Sequence, residues 1–119
     1  MTGPKPLAVG YLRQYRSMTC DQLIRAKGRL AEVAELEGLY LCKVFVERFG
    51  TDPAAFDALI RSVRRRGVGV VIVPTEAHLS AVGSGVTKLE RLHRETTVRV
   101  VSADLIQGDV VARLATGGA

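Results

Sequence analysis

The sequence predicts an α/β domain, a three-layer sandwich in which a mainly parallel sheet of four to five strands carries helices on both faces. Three observations support this. Short apolar runs alternate with amphipathic helical stretches along the chain, the strongest run (Gly69 to Val73, GVVIV) is too continuously apolar to face water on either side, and the connections are short. Such an order builds right-handed βαβ units. At 119 residues, with 47% hydrophobic and 24% charged side chains, the chain has the size and balance of one globular domain with a real core.

Each element carries its own signal. Residues 1–6 hold two of the four prolines and read as a loose lead-in. Leu7 to Leu12 (LAVGYL) is apolar enough for a central strand, and Gly10 within it marks a close approach by a neighbouring group. Thr19 and Gln22 have the spacing of a capping box, after which Leu23, Ala26, Leu30, Val33 and Ala34 recur on one helical face, with Gly38 as a left-handed stop. Leu39 to Glu47 is rich in β-formers and alternates in its second half, as an edge strand does. Asp52-Pro53 offers a capping carboxylate followed by a proline at the first helical position. The helix it opens would bury Phe56, Leu59, Ile60 and Val63 and end in Arg61, Arg64, Arg65 and Arg66 before Gly67. After the GVVIV strand, Pro74 to Gly85 forms a loop carrying Glu76, His78 and Ser80. A third helix from Val86 to Arg94 would bury Val86, Leu89 and Leu92, and Thr97 to Ser102 alternates as a fourth strand. The remainder to Leu114 reads as a short strand or helical turn, and residues 115–119 as a frayed end. Residues 1–119 therefore read as a single domain without repeat or linker.

Composition narrows the function classes. No apolar run approaches the roughly 20 residues of a membrane span. The N-terminus reaches Arg13 after a handful of apolar residues, short of a secretory h-region, so a cytoplasmic protein with no membrane partner is expected. Cys20 and Cys42 have neither CxxC nor Cys/His spacing and read as thiols in a reducing compartment. Glu76, His78 and His93 form no tight cluster of ligands, so no metal is expected. Gly83-Ser84-Gly85 lacks the full phosphate-loop pattern and reads as a loop with a serine cap, so no cofactor is expected either. The net charge of +5 permits DNA or an acidic protein as partner, but six aromatics without tryptophan give little for stacking bases. The arginines at 61, 64, 65 and 66 complement the negative end of their own helix, with nucleic-acid binding as their functional alternative.

In an open α/β sheet the turn after the first strand lies at the carboxyl edge, where ligands collect, which directs attention to Leu7 to Leu23. Tyr11-Leu12-Arg13 carries the tyrosine and arginine of a Y-x-R-V-S opening. Asp52-Pro53-Ala54-Ala55-Phe56 through Leu59 keeps the proline, aromatic and leucine of an R-P-x-F-like motif. Ala77-His78-Leu79-Ser80-Ala81 stands where D-R-L-S-R would be. On these motifs, spanning Leu7 to Ser102, the chain resembles the catalytic domain of the serine recombinases (resolvases and invertases).

The resemblance implies a resolvase-like sheet of order 2-1-3-4. It also implies a chemistry in which a serine attacks a DNA phosphodiester while clustered arginines stabilise the phosphate. The nucleophile position falls on Tyr15 counted from the strand and on Ser17 counted back from the helix register at Leu23; both remain open. Arg13 is retained, but Asp52 or Pro53 replaces the second-motif arginine, His78 and Ala81 replace two more, and Ala77 replaces the acid. Loss of one such donor typically costs on the order of a hundredfold in rate. The candidate site of Arg13, Tyr15, Ser17 and His78 is thus expected to be vestigial, in a catalytically inactive domain that acts as a binding or regulatory module open to DNA association. The alternative is a residual DNA strand transferase using Ser17 or Tyr15 with Arg13. Neither the family's long dimer helix nor a separate DNA-binding domain is expected in these 119 residues, and an apolar face where that helix would pack makes a homodimer an expectation of the resemblance.

Overall fold

The computed structural model describes residues 5–48, 50, 53–80 and 86–104. In chain order they form β1 (Leu7–Arg13), α1 (Cys20–Leu36), β2 (Tyr40–Glu47), α2 (Ala54–Arg66), β3 (Val70–Val73), α3 (Lys88–Glu95) and β4 (Arg99–Ser102), with a 3-10 turn at Glu76–Leu79. Every strand pairing is parallel, in the order β2-β1-β3-β4, as the resemblance implied.

The apolar runs are central because both of their faces are covered. On one side α1 packs Leu30, Val33 and Ala34 over Ala8, Leu12, Ile72 and Val101. On the other, Phe56, Leu59, Ile60 and Val63 of α2 and Leu92 of α3 lie over Val9, Tyr11, Phe45 and Val71. Gly10 lets α1 come down onto the sheet: a Cβ there would stand 2.8 Å from Leu30 Cδ1 and 3.2 Å from Val44 Cγ2. Gly10→Ala is therefore expected to cost about 1 kcal/mol, at the low end of overpacking because Leu30 Cδ1 is a side-chain end, and to lower the urea midpoint without changing the slope.

The start of α1 matches its sequence signal. Thr19 Oγ1 accepts from Gln22 N at 3.1 Å, Gln22 Oε1 accepts from Thr19 N at 2.8 Å, and Gly38 past the other end has φ of 69°. Strand β2 holds one irregularity: its pairing with β1 steps from Ala8–Leu41 to Val9–Lys43, leaving Cys42 as the extra residue. Cys42 Sγ lies 3.2 Å from the Ala8 carbonyl. The step turns Lys43, Phe45 and Glu47 onto the sheet face covered by α2, following Val9, Tyr11 and Arg13.

Two helix starts differ from expectation. Pro53 occupies the cap position of α2 rather than its first turn and has no side-chain capping bond; Asp52 lies outside the described residues. The carboxylate at this helix end is Glu47, from β2. Helix α3 begins at Lys88, because Thr87 Oγ1 accepts from Glu90 N at 3.0 Å and sets the start there. Val86 consequently precedes the helix and is exposed, Lys88 is buried, and Leu89 is only partly covered. Ala81, the Gly83-Ser84-Gly85 loop and the segment expected to run to Leu114 lie outside the described residues. Among the described residues no helix is long and apolar enough to cross a membrane.

Candidate functional site

At the carboxyl edge β1 and β2 end side by side, with Arg13 in register with Glu47 and Gln14 N donating to the Glu47 carbonyl at 2.8 Å. The chain leaving β1 then folds into a turn closed by Met18 N donating to the Tyr15 carbonyl at 3.0 Å. Between this turn and the end of β2 lies a cleft of about 410 Å³ whose walls include Arg13, Gln14, Tyr15, Arg16, Glu47 and Arg48. Three arginines thus share a hollow with one carboxylate.

That carboxylate is turned into the protein. Glu47 is 2% exposed; its Oε1 accepts from Tyr11 Oη at 3.3 Å and Phe56 N at 3.1 Å, and its Oε2 from Ala55 N at 3.2 Å. A buried charge is tolerated when hydrogen bonds satisfy it, and the positive end of α2 adds to the stabilisation. Glu47 therefore holds the floor of the cleft to α2, while the arginines set the character of its opening.

The 3-10 turn after β3 brings His78 across the end of β1. The side chain is buried, its Nδ1 accepts from Arg13 N at 2.9 Å, and its ring meets the edge of Tyr15 with centroids 5.4 Å apart. The Arg13 guanidinium carbon stands 6.0 Å from the centre of the Tyr15 ring. An imidazole accepting at Nδ1 carries its proton on Nε2. Burial first, and then the charge of Arg13, holds the His78 pKa below its ordinary value. His78 is thus a neutral clamp on the β1 end, where a phosphate-binding arginine would be a cation.

The residues singled out from sequence are distributed unevenly. Arg13, Tyr15 and His78 come together. Ser17 is exposed within the Tyr15–Met18 turn, does not line the cleft, and is not the helix cap, which is Thr19. Glu76 is exposed on the 3-10 turn and His93 exposed on α3, and no three potential metal ligands converge among the described residues. Arg61, Arg65 and Arg66 line a separate groove against β2, whereas Arg64 faces another beside Glu95. Arg16, Glu47 and Arg48 were not among the sequence candidates. The signal for Arg48 is its place just past a strand end at the carboxyl edge, and for Arg16 its place in the turn leaving the first strand.

Sheet order and the cationic hollow beyond β1 and β2 define the class: a resolvase-like α/β domain with its candidate site at the carboxyl edge. The crystal structure of the C-terminal catalytic domain of ISC1926 TnpA, an IS607-like serine recombinase, is similar to this chain with a TM-score of 0.66 and 22% identity, over 92% of this chain and 80% of that one. The chain shares the serine recombinase catalytic fold, as its motifs implied. No family model and no curated protein matches the chain.

Proposed function

We propose that this domain binds the phosphodiester backbone of DNA in the cleft between the β1 turn and the end of β2, and holds it without cutting it. The observation that carries this reading is the shared placement of Arg13, Arg16 and Arg48 on one hollow whose carboxylate is directed inward to α2. Guanidinium groups match phosphate geometry and keep their charge at any working pH. Cleavage is disfavoured by the same geometry. Ser17 and His78 stand outside the cleft lining, the Nδ1 of His78 is occupied by the Arg13 amide, and the Glu47 carboxylate that does line the cleft accepts from the Ala55 and Phe56 amides.

One observation favours a second reading. Tyr15 is 44% exposed and lies near both the Arg13 guanidinium and the His78 ring. In strand transfer its phenolic oxygen would bond to phosphorus, the phosphodiester P–O bond would break, and the phenolic proton would pass to the departing hydroxyl.

Binding to labelled duplex and to supercoiled plasmid separates the two. The expected result is a salt-sensitive mobility shift with no denaturant-resistant adduct and no relaxation. Arg13→Ala and Arg48→Ala should each weaken binding by about tenfold or more, the scale of a lost charge-assisted hydrogen bond. An adduct that disappears in Tyr15→Phe would replace the binding reading with strand transfer. Failure to bind duplex at all would reject both.

A further inference from the structure

A second cluster of positive charge lies on the outer flank of the molecule. Lys43 and Phe45 of β2, with Arg61, Ser62, Arg65 and Arg66 of α2, enclose a groove of about 180 Å³. Arg64, Arg65 and Arg66 stand in the last turn of α2, where the helix carbonyls favour cations. Arg61, one turn earlier, and Lys43, on the strand, have no such explanation. Arg61 and Arg65 are moreover four apart on one helix, a like-charged spacing that works against the helix.

No carboxylate among the described residues pairs with this charge. Among the described residues none of Lys43, Arg61, Arg65 or Arg66 forms an ion pair, whereas Arg91 in the same layer bridges both Asp57 and Glu95. Lys43 Nζ rests 4.9 Å from the centre of the Phe45 ring, which fixes it as a point charge over the groove. Phe45 itself is buried, so the groove offers charge rather than an exposed aromatic anchor of the kind protein partners use.

The groove lies along the same edge strand whose end forms a wall of the first cleft. Lys43 and Arg48 lie five residues apart along the edge strand β2 and just past its end, about 16 Å along an extended chain, a span that one duplex can cover. Resting on the reading of the first cleft, we propose that the groove between β2 and α2 is a second phosphate subsite. It extends the DNA track along the sheet edge through Lys43, Arg61 and Arg65, with Arg66 at its end, and reads no sequence.

The test uses the whole chain, a duplex long enough to span both sites, and titrations over a range of salt. The combined Lys43→Ala, Arg61→Ala and Arg65→Ala variant alters only exposed side chains and should keep the wild-type urea midpoint. It is expected to bind at least about tenfold more weakly whatever the duplex sequence, and to lose about 2.7 from the magnitude of the salt slope, at roughly 0.9 per phosphate contact. Duplex too short to leave the first cleft should bind variant and wild type alike. Unchanged long-duplex affinity and slope would overturn the second subsite while leaving the first reading intact, since that one is lost with Arg13→Ala and Arg48→Ala. A variant that loses poly-glutamate binding but keeps duplex binding would assign the groove to an acidic protein and equally overturn the proposal. Failure of wild-type protein to bind duplex of any length would remove both sites together.

Discussion

Glu47→Ala is expected to lower the stability of the domain by about 3–5 kcal/mol, because it strips the acceptor from three donors at once. The amides of Ala55 and Phe56 open α2, and the Tyr11 hydroxyl comes up from β1; the carboxylate they share is 2% exposed, so water cannot readily take its place. The loss spreads into the core. Phe56 packs edge-on to Tyr11 with centroids 5.4 Å apart, and the Arg91 guanidinium lies 5.1 Å from the Phe56 ring centre. Loosening the first turn of α2 therefore disturbs both the strand below it and the helix beside it. Against a typical domain stability of about 5–15 kcal/mol, the variant would be marginal. Glu47→Gln keeps one acceptor oxygen but sets an amide donor against an amide donor, and about half of the loss is expected. Urea unfolding of the three proteins measures the series; a loss below about 1 kcal/mol for Glu47→Ala would mean that α2 is held by other groups.

What could be read from the chain and what could not divides by distance along it. The Thr19–Gln22 capping box, the Gly38 stop and the close contact at Gly10 are all present as expected, the first two because donor and acceptor lie within a few residues of one another. The buried strand β3 was legible from its unbroken β-branched run alone. The capping of α2 was not. Asp52 stands at the expected spacing, but the carboxylate that serves the helix is Glu47, eight and nine residues before the amides it accepts from and delivered by a strand end. The start of α3 is an exception: Thr87 accepts from Glu90 only three residues on, a local signal as close as that of Thr19 and Gln22, and it overrides the apolar spacing that places Val86 inside the helix.

The candidate site was legible only in part for a related reason. The recombinase pattern places its arginines along the chain at the positions held here by Asp52 or Pro53, His78 and Ala81. Parallel pairing instead brings Arg48 beside Arg13 across the sheet, and the turn after β1 adds Arg16. The loss of the motif arginines is real in the sequence, yet the hollow at that edge is still cationic. The step at Cys42 is a tertiary feature of the same kind, since it decides that Lys43 faces the α2 side, and no local propensity announces it.

His78 provides the second large effect, and its sign follows from which nitrogen is in use. Nδ1 accepts from the Arg13 amide, so a proton arriving there would set N–H against N–H and place a second positive charge next to Arg13. Burial and the Arg13 charge accordingly hold the folded-state pKa below the ordinary 6.5 that the unfolded chain retains. Between those two values the unfolded state binds more protons, so stability rises with pH: the His78 contribution is complete above about 6.5 and is lost as pH falls through the folded value. His78→Phe keeps a ring against Tyr15 but leaves the Arg13 amide without its acceptor, and is expected to cost about 1–3 kcal/mol at neutral pH and above. Its loss relative to wild type should shrink on acidification, because the wild type loses the contact there as well. Urea midpoints of both proteins between about pH 5 and 8 make the comparison. Parallel curves would show that His78 does not titrate against the Arg13 amide, whereas converging curves would show that the imidazole clamps the end of β1 only in its neutral form.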